Sequence, residues 1–277
     1  MSTSDALRLR PGLPVLRRDA GHLQVGVDPP ICVVLPDSQE VRRLLDQLAE
    51  GATAPPPGPR ARRAWELLLA AELLVDGATA DAEPALAMAH GPAAAARRRA
   101  RAALPVLLDV PAALALPVRR ALSKAGLAVV EDADSAAVTL VADAGVVRRE
   151  RVDELIRADR THLVVHGGPQ HWTVGPFVVP GSTACLRCLD AEASERDPRR
   201  AFVLEQGHRV RMPVDPLLRD LALGWAVHDL VRYAEGERPT TWSTTVSVGL
   251  GFPEQRTWRR HPHCGCGWDL VLSDPAS

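Results

Sequence analysis

Four of the five cysteines in this chain fall into two short pairs. Cys185 and Cys188 lie in "PGSTACLRCLD", and Cys264 and Cys266 in "RRHPHCGCGWD". Each pair can offer two thiolates to one metal, and a fold that joins the pairs closes a tetrahedron. Cys-x-x-Cys with a distant Cys-x-Cys is close to an all-cysteine zinc pattern. Gly265 and Gly267 let the second pair turn tightly. Four protein thiolates leave no open coordination position, so the expected Zn2+ is structural. A thioredoxin-like redox role needs only one pair and leaves the other unexplained. Buried free thiols are the remaining alternative. His261 and His263 could replace one thiolate, although a solvated loop around Pro262 is their ordinary setting. Cys32 lies in an apolar, strand-like run and reads as a small core residue.

The compartment favours metal over disulfides. Residues 1–20 hold Pro11, Pro14 and six charged side chains, without a continuous apolar core. This reads as no secretory signal. No run approaches ~18 uncharged apolar residues, so no membrane span is expected. A cytoplasmic protein keeps its thiols reduced. The 277 residues suit two domains, and a hydrophobic fraction of 46% supports a real core. A formal net charge of -1 exerts no global pull on nucleic acid or an anionic membrane. Lys124 is the only lysine among 33 basic residues, so a lysine-dependent mechanism has one candidate.

The elements that must position these residues fall into two groups. "LPVLRRD", "HLQVGVD" and "ICVVLPD" read as three short strands separated by Ala20-Gly21 and Pro29-Pro30. A helix capped by Asp37 or Ser38 follows, with Val41, Leu44, Leu45 and Leu48 on one face. "RARRAWELLLAAELLVDG" predicts a second helix with Trp65, Leu68, Leu69 and Leu73 on its stripe, ending at Gly77. Three strands and helices form a winged-helix-like module over residues 1–78. Residues 79–102 are Ala-rich and carry the basic run Arg97–Arg101, expected as a solvated linker or helix face. From 103 to 277 strands alternate with helices, predicting a parallel, Rossmann-like sheet covered on both faces. The fold class is therefore α/β, with a small N-terminal module ahead of a larger domain.

No catalytic constellation is legible. His162 and His166 have helical ligand spacing but sit in a predicted strand, ~13 Å apart along one face. Ser182 and Thr183 have no base nearby in sequence. His166 and His171 flank a loop ending at Trp172 and are candidates to line a pocket.

The sheet pattern, "GPFVVPGSTACLRCLD" and the terminal "HPHCGCG" together resemble the E1-like, ThiF-type fold. The nearest branch is the ThiF-like partner protein of azoline-forming YcaO cyclodehydratases. "RLRPGLPVLRRDAGHLQVG" and "VVLPDSQEVRRLLDQL" resemble the leader-binding winged-helix module of that branch. The chain departs from adenylating members where a glycine-rich turn should cradle nucleotide phosphates. Here "DVPAALALP" (Asp109–Pro117) has no glycine, and Pro111 and Pro117 remove amide donors. Asp132 or Asp134 could stand where a ribose-binding acid belongs. The expectation is a fold that kept its sheet and metal staple and lost its ATP site.

The resemblance implies a non-catalytic partner that binds the leader of a ribosomal precursor peptide. It would present that peptide to a separate, ATP-dependent YcaO-type cyclodehydratase. It also implies a homodimer, since E1-like relatives commonly pair. The rivals are an active E1-like adenylating enzyme and a winged-helix DNA regulator. Residues 1–76 carry nine arginines and ten acidic residues, a balance of 9 − 10 = −1 that does not suit a DNA reader. For the peptide, the third strand supplies an edge that an extended leader can join, through Cys32, Val33, Val34 and Leu35. The second helix supplies Arg60, Arg62 and Arg63 for leader acids, with Trp65 and Leu69 for apolar side chains.

Overall fold

The computed structural model describes residues 6–210 and 212–267. The chain divides into two compact units, residues 1–99 and 100–277. Among the described residues no helix is long and apolar enough to cross a membrane.

The first unit opens with strands β1 (Leu7–Leu9), β2 (Val15–Arg17), β3 (His22–Val25) and β4 (Val33–Pro36). Helices α1 (Gln39–Glu50) and α2 (Pro59–Ala70) follow, then strand β5 (Leu74–Asp76). In α1 the Ser38 hydroxyl accepts from the Val41 N–H, and Val41, Leu44, Leu45 and Leu48 are buried. The expected cap and stripe are both present. Helix α2 starts at Pro59 without a side-chain cap of its own. Glu40 of α1 serves instead, its carboxylate accepting from the Arg60 N–H at 3.0 Å and the Ala61 N–H at 3.4 Å.

The second helix is shorter than its sequence predicts. Glu72 takes a φ of +56°, which ends the helix. Leu74–Asp76 then pairs antiparallel with β1, Leu9 opposite Leu74. Strand β1 itself was absent from the sequence reading. Strands β2, β3 and β4 form a separate three-stranded antiparallel sheet with β4 at an edge.

The stretch 79–102 is helical. It holds α3 (Gly77–Ala82), α4 (Pro84–His90) and α5 (Ala94–Ala102), with Leu86, Ala87 and Ala94 buried. Arg10 is buried and donates to the carbonyls of Glu72 (2.7 Å) and Met88 (3.0 Å). That guanidinium ties α4 to the strands by bridging these two carbonyls.

The second unit carries a seven-stranded sheet in the order β12-β11-β10-β9-β8-β6-β7. Its strands are β6 (Pro105–Asp109), β7 (Ala128–Val130), β8 (Val138–Ala144), β9 (His162–Gly167), β10 (His171–Val178), β11 (Thr244–Gly249) and β12 (Glu254–Thr257). The helices are α6 (Ala112–Lys124), α7 (Arg149–Arg157), α8 (Leu186–Arg196), α9 (Arg200–Gly207) and α10 (Pro216–Ala234). The sheet is mixed: the expected parallel part is β7, β6, β8 and β9, the stretches "TTWSTTVSVG" and "RTWRRHP" give antiparallel strands as their sequence suggests, and the antiparallel β10 is the departure. Strands β7, β6, β8 and β9 run parallel, whereas β10, β11 and β12 join antiparallel. A tight turn at 168–170 reverses the chain between β9 and β10, where a helical crossover would have kept it parallel. His171 and Trp172 are thus strand residues and not loop residues.

Helices α6 and α10 pack on one face of the sheet, against Leu140, Leu163 and Phe177. Helices α7 and α8 cover the other, against Val141 and Val164. The alternation of adjacent strand residues between these two cores is the period-two pattern of a sheet buried on both sides.

Candidate functional site

The two cysteine pairs converge. Cys185 caps α8 and Cys188 sits in its first turn, while Cys264 and Cys266 bracket Gly265 in a tight turn. Cys185 Sγ lies 3.7 Å from Cys188 Sγ, 3.6 Å from Cys264 Sγ and 3.4 Å from Cys266 Sγ. Cys188 and Cys266 are 3.3 Å apart. A tetrahedron with metal–sulfur bonds of ~2.3 Å has edges of about 3.8 Å, so these spacings are close to what one ion needs. All four sulfurs are buried, and all five cysteines of the chain are free.

Val178, Ala184, Ile156, Leu189 and Trp258 shield the cluster. The four thiols are within hydrogen-bonding reach of one another. Hydrogen bonds from Cys185, Cys264 and Cys266 hold the Cys188 thiol far below its ordinary range. The Cys185 thiol, bonded to Cys188, is pushed correspondingly up. Cys264 falls to about 7, chiefly through its bond with Cys185. A divalent cation resolves this conflict, because it favours the thiolate form at every position. The residues therefore fit Zn2+ by donor type, number and spacing. His261 meets the cluster through its backbone, whose N–H points to Cys188 Sγ at 3.4 Å. Its ring bonds Glu195 through Nε2 and accepts the His263 N–H at Nδ1. Neither His261 nor His263 belongs to the four-residue ligand group.

The peptide candidates sit in the first unit. Strand β4 has β3 on one side and, among the described residues, no partner on the other. Helix α2 runs beside it. Cys32 and Val33 are half-buried and Val34 is exposed. Arg60, Arg62, Arg63 and Leu69 are also exposed. Leu35 and Trp65 belong instead to the core, at 0% and 8% exposure. They support the strand and helix from behind and are not available to a ligand, because period-two and helical spacing turn them inward. Arg63 reaches Glu66 at 3.4 Å, whereas Arg60 and Arg62 have no ion pair among the described residues.

An arginine bridges the strand ends at the point where a sheet of this type changes direction. In open α/β sheets, ligands bind beyond the carboxyl ends of strands where strand order reverses. Here that point lies between β6 and β8, which end in Asp109 and Asp143–Ala144. Arg151 of α7 donates to Asp109 Oδ2 (2.8 Å), to the Asp109 carbonyl (2.6 Å) and to Asp143 Oδ2 (2.8 Å). The turn "DVPAALALP" is mostly the start of α6, with Pro111 at its N-cap and Pro117 inside the helix. Sequence reasoning missed Arg151, because only the sheet brings these three residues together. Asp134 pairs with Arg160, and Asp132 accepts the Asp134 N–H as a turn residue.

A cavity of about 980 Å³ opens elsewhere in the second unit, lined by Arg149, His166, His171, Asp190, Ser247 and Trp258 among others. His166 and His171 both line it, from strands β9 and β10 and not from a loop. Arg149 and Asp190 form a bidentate pair at 2.6 and 2.9 Å that joins α7 to α8. Burial, and then the Arg149 guanidinium, push the His166 imidazole down to about 4. It is neutral near pH 7 and bears no charge for a ligand.

The fold has solved counterparts. The heterocyclase TruD superimposes with a TM-score of 0.75 at 18% identity, over 96% of this chain and 43% of that one. A heterocyclase in complex with substrate and cofactor gives 0.70 at 17% identity, over 97% and 40%. E. coli MccB with AMPCPP and MccA gives 0.58 at 12% identity, over 95% and 99%. At these identities the likeness shows the fold. The chain spans about two fifths of the length of the two heterocyclases. No family model and no curated protein sequence matches it.

Proposed function

We propose that this chain is a non-catalytic, cytoplasmic binding protein for the leader of a ribosomally made precursor peptide. It delivers that peptide to a separate ATP-dependent YcaO-type cyclodehydratase, which forms azolines. The observation that carries the reading is the open edge of β4 beside exposed arginines of α2. Unpaired amides and carbonyls accept an extended peptide as a further strand, and Arg60, Arg62 and Arg63 suit acidic leader residues. The three-stranded sheet with α1 and α2 is consistent with a winged-helix-like recognition module. The heterocyclase fold relationship supports the azoline context.

The Cys185, Cys188, Cys264 and Cys266 cluster would hold a structural Zn2+ that pins the end of the chain to α8. The ion supplies charge neutralisation and cross-linking there, and no reactive position. Cys188 also takes the His261 N–H, which fixes the second turn against the first.

The alternative is an adenylating enzyme, favoured by the match to nearly all of MccB, which is known in complex with ATP. The Arg151 clamp and the glycine-free turn disfavour it. Two measurements separate the readings. Fluorescence polarisation with a labelled acidic leader should show binding, and charge reversal at Arg62 and Arg63 should weaken it. ATP–pyrophosphate exchange with the peptide present should stay at background. Exchange that depends on the peptide, with no leader affinity, would establish the alternative.

A further inference from the structure

Which backbone groups β4 leaves unpaired follows from the bonds on its other side. The Asp37 N–H donates to the Gly21 carbonyl at 2.7 Å, continuing the register of His22 with Pro36 and Leu23 with Leu35. In an antiparallel pair, hydrogen-bonded and non-hydrogen-bonded positions alternate. Leu35 and Val33 therefore turn their amides and carbonyls towards β3, and Val34 and Pro36 turn theirs away. Strand β3 agrees from its far side. The Arg18 N–H donates to the His22 carbonyl at 2.9 Å, and the Gly26 N–H to the Pro14 carbonyl at 2.9 Å. His22, Gln24 and Gly26 thus face β2, which leaves Pro36 and Val34, the β4 partners of His22 and Gln24, facing outward.

The free edge is short. Val34 offers an N–H and a carbonyl, and Pro36 a carbonyl alone, because its ring nitrogen carries no hydrogen. Past Pro36 the Asp37 carboxylate is taken by Arg42 at 2.6 and 2.7 Å, and Ser38 caps α1. In the other direction Cys32 precedes the strand and follows Pro29-Pro30. Prolines at an exposed edge limit how far another strand can add.

We propose that an acidic peptide joins β4 through Val34 and the Pro36 carbonyl, with Pro36 as the stop, so that α2 reads every second peptide residue. The inference rests on the function proposed above and deepens it. Successive side chains of a strand point to opposite faces. The peptide residue opposite Val34 shares its exposed face. The residues on either side of it share the face of Leu35. That is the face on which α2 packs, since Leu35 is buried with Trp65 and Leu68. Acidic side chains two residues apart, and not adjacent ones, therefore meet the helix that exposes Arg60, Arg62 and Arg63. A second copy fits this edge less well. Pairing β4 with itself about a two-fold axis puts both α2 helices on one face of the joined sheet, where their arginines repel. An acidic peptide complements them.

The test is fluorescence polarisation on the full chain with two fluorescein-labelled peptides of one composition, each about eight residues long. In one, Glu alternates with Thr; in the other, the two residues stand in separate blocks. The alternating peptide should bind at least about threefold more tightly. Val34→Pro removes only an outward N–H, so it should weaken binding about tenfold and leave the melting temperature nearly unchanged. Val33→Pro removes an N–H that faces β3 and should lower the melting temperature. Pro36→Ala adds an outward donor and should strengthen binding about fivefold. Unchanged affinity in Val34→Pro or in Pro36→Ala would overturn the edge assignment alone. So would equal binding of the two peptides, or a Val34→Pro chain as destabilised as Val33→Pro. A wild type that binds neither peptide and no acidic leader would overturn the functional reading along with it.

Discussion

Arg151 Nη1 lies 2.8 Å from Asp143 Oδ2, across the crevice in which a sheet of this type would seat a nucleotide. The same guanidinium holds Asp109 on the adjacent strand. Two carboxylates that could have faced a magnesium ion or a ribose are therefore neutralised by the protein itself. Calorimetry should detect no magnesium-dependent ATP binding in the micromolar range. Replacing Arg151 with Met should not create it, because Asp109–Pro117 still lacks the glycine-rich turn that brings backbone amides to a phosphate. The variant should lose about 1–2 kcal/mol of stability, as two partly buried carboxylates lose their shared cation.

Zinc content is the second expectation. Elemental analysis should give about one zinc per chain. Cys188→Ser should lower solubility and the melting temperature while leaving leader affinity nearly unchanged in the folded fraction, because the cluster and β4 belong to different units. Chelation should mimic the substitution. Zinc-free protein with five reactive thiols and an unaltered melting temperature would contradict the metal assignment.

Leader affinity should reside in the first unit. A fragment ending near Gly77 would lose α4 and with it the partner that Arg10 finds in the Met88 carbonyl. A fragment of residues 1–99 keeps that contact and should bind leader as tightly as the full chain. Arg62→Glu/Arg63→Glu should weaken binding by roughly tenfold without unfolding, since both side chains are exposed. Raising salt should weaken binding only in part, because strand pairing and apolar burial are little screened. Affinity found only in residues 100–277 would refute the site.

His162 predicts an acid limb. Its ring is fully buried, and burial lowers it from 6.5 to about 4 against a raising hydrogen bond with the Arg160 carbonyl. The folded value lies below the unfolded one, so the unfolded chain takes up the proton first. The stabilising contribution is complete above about pH 6.5 and is lost as pH falls towards 4. The shift corresponds to about 3 kcal/mol. His166 shifts in the same direction but borders the cavity, so it adds less. Melting temperature should fall across this window, and His162→Gln should flatten the fall. An unchanged slope in the variant would assign the acid sensitivity to other groups.

Much of this protein is legible in its sequence. Ser38 and the Val41, Leu44, Leu45, Leu48 stripe announced α1, because caps and helical periodicity act over a few neighbouring residues. The cysteine pairs announced, by type and spacing alone, the four thiols that the fold brings together. The turn between β9 and β10 was signalled by Gly168-Pro169 between two apolar runs, a hairpin pattern that reading the glycines only as a loop after a strand passed over.

Tertiary structure decided the rest, for a common physical reason. The pairing of β1 with β5 joins two three-residue strands across most of the first unit, and such short strands gain their stability from partners that propensity does not register. Whether Leu35, Trp65 and Leu69 face core or solvent depends on where the neighbouring elements lie, and it separated the first two from the third. The Arg151 clamp joins residues at 109, 143 and 151, which become neighbours only when parallel strands align their carboxyl ends. Residue types and local periodicity set which chemistries were available, because they act over a turn or a strand. Which of those groups meet, and which are silenced by a neighbour, was settled by long-range packing.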